Sequence, residues 1–350
     1  MVKMAVSYGL LSYLTAYLKT HYTIYFMAAC LIAKREDTGK IGVFINECNR
    51  LGIKVCPPSV NRSGIDFIPN KKTNKILFGL GAIKGIGDEV AKQIIASRPY
   101  TSLDDFLSRV NDGKPGTKNV CQLIKAGAIP AKDKSDMLLR YADILFEADY
   151  KDPVFKELAS LPKLSILESE WGIDCKTVKD KTERLQLYNT KRKQKFDSER
   201  VFRLTEKEKK RNAFIEAFKQ KYMDSPHMWE FETLSMFLTE DPLKDASQYI
   251  SRTFESAEDG DELTVLSVIV DIQKKKDKRG GQFAYLHLYT TNGIIEAICW
   301  SSQYNRFANL IAKGKDVAIL GKKKEDSFVV KEMKPYQQWL IDRKLVKKGA

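Results

Sequence analysis

Residues 78 to 95, Phe-Gly-Leu-Gly-Ala-Ile-Lys-Gly-Ile-Gly-Asp-Glu-Val-Ala-Lys-Gln-Ile-Ile, decide how the rest of the chain is read. A short apolar segment (Leu80, Ala82, Ile83) runs into Lys84-Gly85-Ile86-Gly87, and a helical pattern begins directly after it. Asp88 and Glu89 open that helix, where carboxylates suit the positive end of the dipole. Val90, Ala91, Ile94 and Ile95 recur at helical spacing and give it one apolar face. Two glycines around one apolar residue allow a tight turn and a close backbone approach to a partner. Ile86 between them plugs into a core, and the N–H groups of Gly85, Gly87 and Asp88 then form an anion site, with Lys84 and Lys92 nearby.

That arrangement is the pattern of a helix-hairpin-helix, which grips a nucleic-acid phosphate without reading bases. An ordinary glycine-rich turn between two helices is the competing reading. The composition agrees with a polyanionic partner. Among 350 residues, Lys and Arg number 59 against 45 Asp and Glu, a formal net charge of +14. Such an excess points to nucleic acid before membrane. The length suffices for two or three domains, and 43% hydrophobic and 10% aromatic content describe globular ones. Six scattered cysteines without a C-x-x-C pair, and three histidines distant from them, argue against zinc and against a disulfide framework. Buried thiols in a reducing cytoplasm are the expectation.

At the N-terminus, Met4 to Leu18 and Thr20 to Ala33 are apolar but divided by Lys19, and neither reaches the ~20 residues of a membrane span. They read as two soluble core helices. Thr38 to Gly52 is a third helix, with Ile41, Phe44, Ile45 and Cys48 on one face. Ile65-Asp66-Phe67 and Lys75-Ile76-Leu77-Phe78 read as short strands. Beyond the hairpin, Ser102 caps Leu103 to Val110, and Lys118 to Ala126 is a helix stopped by Gly127.

Tyr13-Leu14-Thr15-Ala16-Tyr17-Leu18-Lys19, His21-Tyr22 and Phe26-Met27-Ala28-Ala29 resemble the fingers region of the bacterial C-family replicative polymerases, the DNA polymerase III alpha subunits. Glu47-Cys48, Gly52-Ile53, Pro57-Pro58, Val60-Asn61 and Phe67 keep that family's order. The stretch from Phe78 to Gly87 resembles its most recognisable downstream segment, and Leu123 to Ala128 the end of its hairpin domain. Glu230 to Leu234 through Asp241-Pro242-Leu243 resembles the approach to its OB domain. The match is specific over residues 5 to 130 and again from about 229, and faint between them.

In that faint middle, Lys176 to Asp224 carries sixteen Lys and Arg against eight Asp and Glu. The runs Lys191-Arg192-Lys193-Gln194-Lys195 and Lys207-Glu208-Lys209-Lys210-Arg211 read equally as a track for a DNA backbone and as a solvated helix face. Leu185, Leu187 and Tyr188 loosely resemble a clamp-binding peptide, against the plainer reading of leucines packing a helix. From Leu263 the pattern is β: Leu263 to Ile272, Phe283 to Tyr289, an Asn292-Gly293 turn, Ile294 to Trp300, a helix Ser301 to Ala312, then Val317 to Leu320 and Phe328 to Val330. Five strands with a helix after the third is the order of an OB barrel. Its single-strand site would use two basic loops, with Lys274, Lys275, Lys276, Lys278 and Arg279 in one and Lys322, Lys323 and Lys324 in the other. Phe283, Tyr285 and Trp300 are its candidate stacking rings.

The expected fold class is thus α+β multidomain, mainly helical and followed by a five-stranded OB barrel. By the resemblance, residues 1–60 are the rear of the fingers and 61–130 a tandem helix-hairpin-helix region. Residues 131–257 form a basic connector, 258–340 the OB domain and 341–350 a basic tail. The implied role is to grip duplex product and single-stranded template in DNA replication. The family's palm aspartates lie outside these residues, so no catalytic or metal-binding residue is assigned, no cofactor is expected on this chain, and Mg2+ belongs to the palm. Asp259-Gly260-Asp261, the nearest D-x-D, reads as a solvated turn. Expected partners are duplex and single-stranded DNA, a palm-containing polypeptide and a sliding clamp, in the cytoplasm. A stand-alone DNA-binding protein, a polymerase relic and a replisome adaptor are the alternatives.

Overall fold

A computed structural model describes residues 2–110, 115–239, 241–250, 252–278, 280–343 and 345, with the side chains of all but 2–6, 38, 39 and 247. The described chain divides into two compact units, one of residues 1–134 with 225–350 and one of residues 135–224.

The larger unit opens with helices α1 (Val2–His21), α2 (Thr23–Ala33) and α3 (Thr38–Arg50). Ile24, Met27, Ala28 and Leu31 bury one face of α2, and Ile41, Ile45 and Cys48 one face of α3. The expectation that α1 is a core helix fails. Its Tyr8, Leu11, Tyr13 and Leu14 stand in solvent, Tyr13 at 65%. Asp37 caps α3 by accepting from the Lys40 N–H, and Gly52 ends it at φ +70°, a conformation that glycine takes without strain. Three short strands follow, β1 (Lys54–Cys56), β2 (Ile68–Asn70) and β3 (Lys75–Leu77). β3 is central, parallel to β1 and antiparallel to β2. The first expected strand therefore lies three residues late, because Phe67 is drawn into the core against Phe78, with ring centroids 4.7 Å apart.

Next come α4 (Asp88–Ala96), α5 (Leu103–Arg109) and α6 (Thr117–Lys125). Ser102 caps α5 by accepting from the Asp105 N–H, while the Asp105 carboxylate accepts from Thr101 and Arg109, which hold its pKa below the usual carboxylate value. Val120, Cys121, Leu123 and Ile124 of α6 are buried, and Gly127 at φ +69° turns the chain away.

The smaller unit takes up most of α7 (Lys134–Asp149), with α8 (Leu164–Ser169), α9 (Lys181–Ser198) and α10 (Arg200–Tyr222). α7 packs on α10 through Phe146 against Phe214 and Tyr141 against Phe218. Arg211 clamps Asp143, donating from Nε and Nη2 to the two carboxylate oxygens at 2.8 and 2.9 Å. A second small core joins Leu167, Ile173 and Tyr188, with Trp171 edge-on to Tyr188.

The chain returns to the larger unit with α11 (Trp229–Leu234) and then a closed barrel. The strands are β4 (Glu262–Lys276), β5 (Gln282–Thr290), β6 (Gly293–Cys299), β7 (Asp316–Lys324) and β8 (Ser327–Pro335). α12 (Ser301–Arg306) stands between β6 and β7, and α13 (Tyr336–Asp342) follows β8. The closed order β4-β5-β6-β8-β7, with β6 and β8 parallel and a helix after the third strand, is the OB topology. The hairpin turn is Thr291-Asn292, one residue earlier than expected, because Gly293 already pairs with Thr290. The helix expected to reach Ala312 stops at Arg306, and Phe307 and Ile311 enter the barrel core from the turns that follow.

Strand β4 is buried without alternation from Val265 to Val270, because both of its faces are covered. Val265 and Ile269 point into the barrel, while Leu266, Val268 and Val270 pack beneath Met228, Phe237, Trp339 and Leu340. All six cysteines are free thiols, and burial pushes Cys48, Cys121 and Cys299 up to about 12. Among the described residues no helix is long and apolar enough to cross a membrane. A register shift between Leu320 and Gly321 lets β7 bend, and Gly321 is essential to it. A Cβ there would lie 2.5 Å from the Val329 carbonyl oxygen and 2.7 Å from the Phe328 ring. Gly321→Ala is therefore expected to lower stability by about 1–3 kcal/mol in denaturant unfolding, whereas an unchanged midpoint would show that the barrel adjusts freely.

Candidate nucleic-acid interface

The hairpin is built as its residues imply. Ile86 is buried, Gly85 sits at φ +88°, and Gly87 precedes α4 in ordinary extended geometry. The helix entering the turn is only a single 3-10 turn, Leu80–Ala82. Lys84 and Gly85 are exposed, and no described acid pairs with Lys84. Among the described residues none accepts a hydrogen bond from the N–H groups of Gly85, Gly87 or Asp88. Unsatisfied donors at a helix start suit a phosphate oxygen. The Asp88 carboxylate would oppose an anion there, but Arg35 neutralises it, bonding Asp88 and Asp66 at 2.8 Å each. Asp88 foremost pushes the guanidinium's pKa above its ordinary value. Lys92 is held by Glu89 at 2.7 Å, so this candidate phosphate ligand is already paired.

On the barrel, β5 alternates. Ala284, Leu286 and Leu288 point inward, and Phe283, Tyr285 and His287 lie on the outer face. Phe283 lies 5.7 Å from Tyr285 and 5.2 Å from Trp300, between ring centroids. The Lys275 ammonium stands 4.5 Å from the Tyr285 centroid. Trp300 is 46% exposed, Tyr285 half-buried and Phe283 only 8% exposed, so Phe283 backs the patch and Trp300 is its open ring. Exposed rings beside a cation are what sequence-tolerant single-strand binding uses.

The lysine runs differ from the expectation. Lys274, Lys275 and Lys276 end strand β4, and Lys322, Lys323 and Lys324 end strand β7, so neither run is a loop. Lys323 turns inward to donate to the Phe254 and Ala257 carbonyls. Lys322 and Lys324 are exposed on β7, whose sheet neighbours are β4 and β8 rather than the ring-bearing β5. Lys278 is exposed in the turn after β4, and Arg279 lies outside the described residues. In the smaller unit the basic runs largely serve the unit itself. Lys191 caps the carbonyls of Trp171 and Gly172, Arg192 lies over Phe155 and Tyr188, and Lys207 bonds Glu147 and Asp152. Of the peptide Leu185, Leu187, Tyr188, Tyr188 is buried and Leu187 packs against its cluster, so these two side chains serve the fold of the unit.

Asp259-Gly260-Asp261 does not fit a metal. Asp259 accepts from the Glu325 N–H and Asp261 from Arg252 and the Glu258 N–H, so both carboxylates are committed to the turn. Among the described residues no cluster of His, Cys, Asp or Glu has the arrangement to hold an ion.

Sequence reading missed α11, which fastens the hairpin to the barrel. The Lys84 N–H donates to the Thr233 carbonyl at 2.9 Å, and Lys125 reaches Glu232 and lies over the Trp229 ring. On the other side Phe231 and Phe237 meet Tyr289, with centroids 5.7 and 5.1 Å apart. It also missed Lys118, exposed at the start of α6, whose signal is Pro115-Gly116-Thr117-Lys118, a second glycine-led helix start with a lysine.

A helix-hairpin-helix motif family matches residues 52–135. The chain is 37% identical to the DNA polymerase III subunit alpha of Thermus aquaticus over 187 residues, 47% of this chain and 15% of that protein. It is 26% identical to that of Aquifex aeolicus over 346 residues, 94% of this chain and 25% of that protein. With that of Pseudomonas aeruginosa it shares 27% identity over 93% of its length, covering 27% of the relative. The chain thus spans roughly a quarter or less of the relatives it matches, and it resembles a C-terminal region of the polymerase III alpha subunits. Part of the chain, 22% of it, aligns with 96% of a crystal structure of the mitochondrial single-stranded DNA-binding protein Rim1 of S. cerevisiae, at 10% identity and a TM-score of 0.20.

Three substitutions separate the elements of this interface. At Gly87 the backbone accepts any residue and a Cβ meets nothing within 4 Å, so Gly87→Val is expected to leave the melting temperature unchanged while weakening duplex binding, measured by fluorescence anisotropy. Unchanged duplex affinity would remove this edge of the hairpin from the interface. Tyr285→Ala and Trp300→Ala are each expected to take ~1–3 kcal/mol from single-strand binding. Full affinity in both variants would remove the ring patch.

Proposed function

We propose that the chain is the DNA-holding part of a C-family replicative polymerase, acting in DNA replication. The hairpin region grips duplex product through its backbone, and the barrel holds single-stranded template on Tyr285, Trp300 and Lys275. Phosphoryl transfer, with the Mg2+ ions it requires, belongs to a palm outside these 350 residues. The observation that carries this reading is the presence, in one compact unit, of a helix start with free N–H donors and a barrel face where the exposed Trp300 and the half-buried Tyr285 stand with Lys275. The resemblance along nearly the whole chain to polymerase III alpha subunits supports the same role.

The uncovered apolar residues of α1 supply a second part of the proposal. Tyr8, Leu11 and Leu14 lie at helical spacing on one side and are all exposed. A patch of that kind marks a binding surface, and the polymerase's remaining domains are its occupant here. The work is done in the cytoplasm, on DNA.

Primer-extension assays test the assignment. The purified chain is expected to bind primer–template DNA and to incorporate no nucleotide. A polypeptide carrying the palm from the same genome is expected to co-elute with it and to synthesise DNA in the mixture. Magnesium-dependent synthesis by the chain alone would contradict the division of labour. Failure to co-elute or to extend would favour a free-standing DNA-binding protein.

A further inference from the structure

The hairpin loop and the barrel face each other across a cleft of about 790 Å³. Lys84, Gly85, Lys118 and Gln122 form one wall, and His287 and Lys313 stand on the other, with Phe231 among the lining residues. This volume suits a single nucleotide. A double helix keeps its two backbones apart and offers a convex rim, which two facing walls cannot close upon. The Lys84–Gly85 edge of the hairpin therefore differs from the Gly87 edge, which is not part of the cleft.

We propose that this cleft is a single-strand site, in which Lys84, Lys118 and the Gly85 N–H hold a phosphate of one DNA strand running off the ring patch of the barrel. The inference rests on the DNA-holding reading above and changes what the Lys84 edge of the hairpin grips. β5 carries the track. Phe283, Tyr285 and His287 share its outer face two residues apart, so His287 lies about 13 Å from Phe283 at the rise of a strand. A strand stacked on the rings arrives at the cleft within that distance.

The charges in the cleft permit an anion. Lys84 and Lys118 are exposed, with no described acid paired to either. The two acids of the lining are engaged. Glu232 bonds Lys313 at 2.9 Å and faces Lys125, and Asp271 meets Nδ1 of His287 at 3.3 Å. Glu296 lies 3.6 Å from the other ring nitrogen, so His287 offers no free cation of its own. A second feature favours a nucleotide over an inorganic anion. The Gln122 Oε1 atom is buried and finds no donor among the described residues. A nucleotide carries N–H donors on its base as well as a phosphate, and turning the half-buried Gln122 side chain into the cleft would relieve an acceptor whose isolation is unfavourable.

The test measures the whole chain by fluorescence anisotropy, against a fluorescein-labelled oligothymidylate and a blunt duplex, over a series of salt concentrations. Lys84→Ala and Lys118→Ala are surface changes, and Lys72→Ala, an exposed lysine outside the cleft, controls for general charge. Each cleft variant is expected to weaken oligothymidylate binding and to lower its salt slope by about 0.7. Duplex binding, and both ligands with Lys72→Ala, are expected to stay at wild-type values. Losses confined to the duplex, or equal for both ligands, would overturn the single-strand cleft while leaving the DNA-holding role intact. No loss with either ligand would overturn it too. A wild-type chain that binds neither ligand would sink the DNA-holding role itself.

Discussion

The short helix Trp229–Leu234 is the constraint on which the larger unit depends. Its Trp229 is among the largest fully buried side chains of the protein, and its Thr233 carbonyl accepts from the hairpin's own Lys84 N–H. Glu230, also buried, is satisfied by the Thr239 N–H and hydroxyl, so the chain leaving the helix is fixed as well. Phe231 and Phe237 then hold Tyr289 at the end of β5. One short element thereby sets the distance between a phosphate-binding loop and a base-stacking surface. A buried aromatic and a fully used carboxylate do this more firmly than exposed ion pairs, each worth ~0–1 kcal/mol.

The net charge of +14 is not spread evenly among useful positions. Many cations are engaged by neighbouring acids or carbonyls, as with Arg35, Lys92, Lys191, Lys207, Arg211 and Lys323. Exposed lysines without described acid partners include Lys84, Lys118 and Lys278. Binding follows from where charge is left over and what stands beside it, and here free lysines border a loop of unsatisfied N–H groups and a patch of rings.

Local rules were legible wherever a single element decides them. Ser102, Gly52 and Gly127 marked helix ends because capping is local, and Ile86 between two glycines read as a core plug and is one. The barrel's strand order followed from alternation and turn chemistry. Non-local packing was hidden. The stretch Ile65-Asp66-Phe67 reads as a strand, yet Phe67 is claimed by Phe78 across the core. Lys323 reads as a free lysine, yet two carbonyls from before the barrel draw it in. Leu185, Leu187 and Tyr188 read either as a loose clamp peptide or as helix packing, and Tyr188 is a core residue. The hairpin's candidate phosphate-binding backbone was visible in Gly85 and Gly87, but the cleft beside it, which Lys118 and His287 line from opposite walls, was not.

The central claim is that the hairpin's free N–H groups accept DNA phosphate. Selective 15N labelling of glycine makes Gly85 and Gly87 directly observable by NMR during titration with a short primer–template, a duplex that carries a single-stranded overhang. Both amide resonances are expected to shift downfield and to saturate together with the signals of the barrel, as a hydrogen bond to phosphate forms. Saturation of the barrel glycines while Gly85 and Gly87 remain in place would contradict the account.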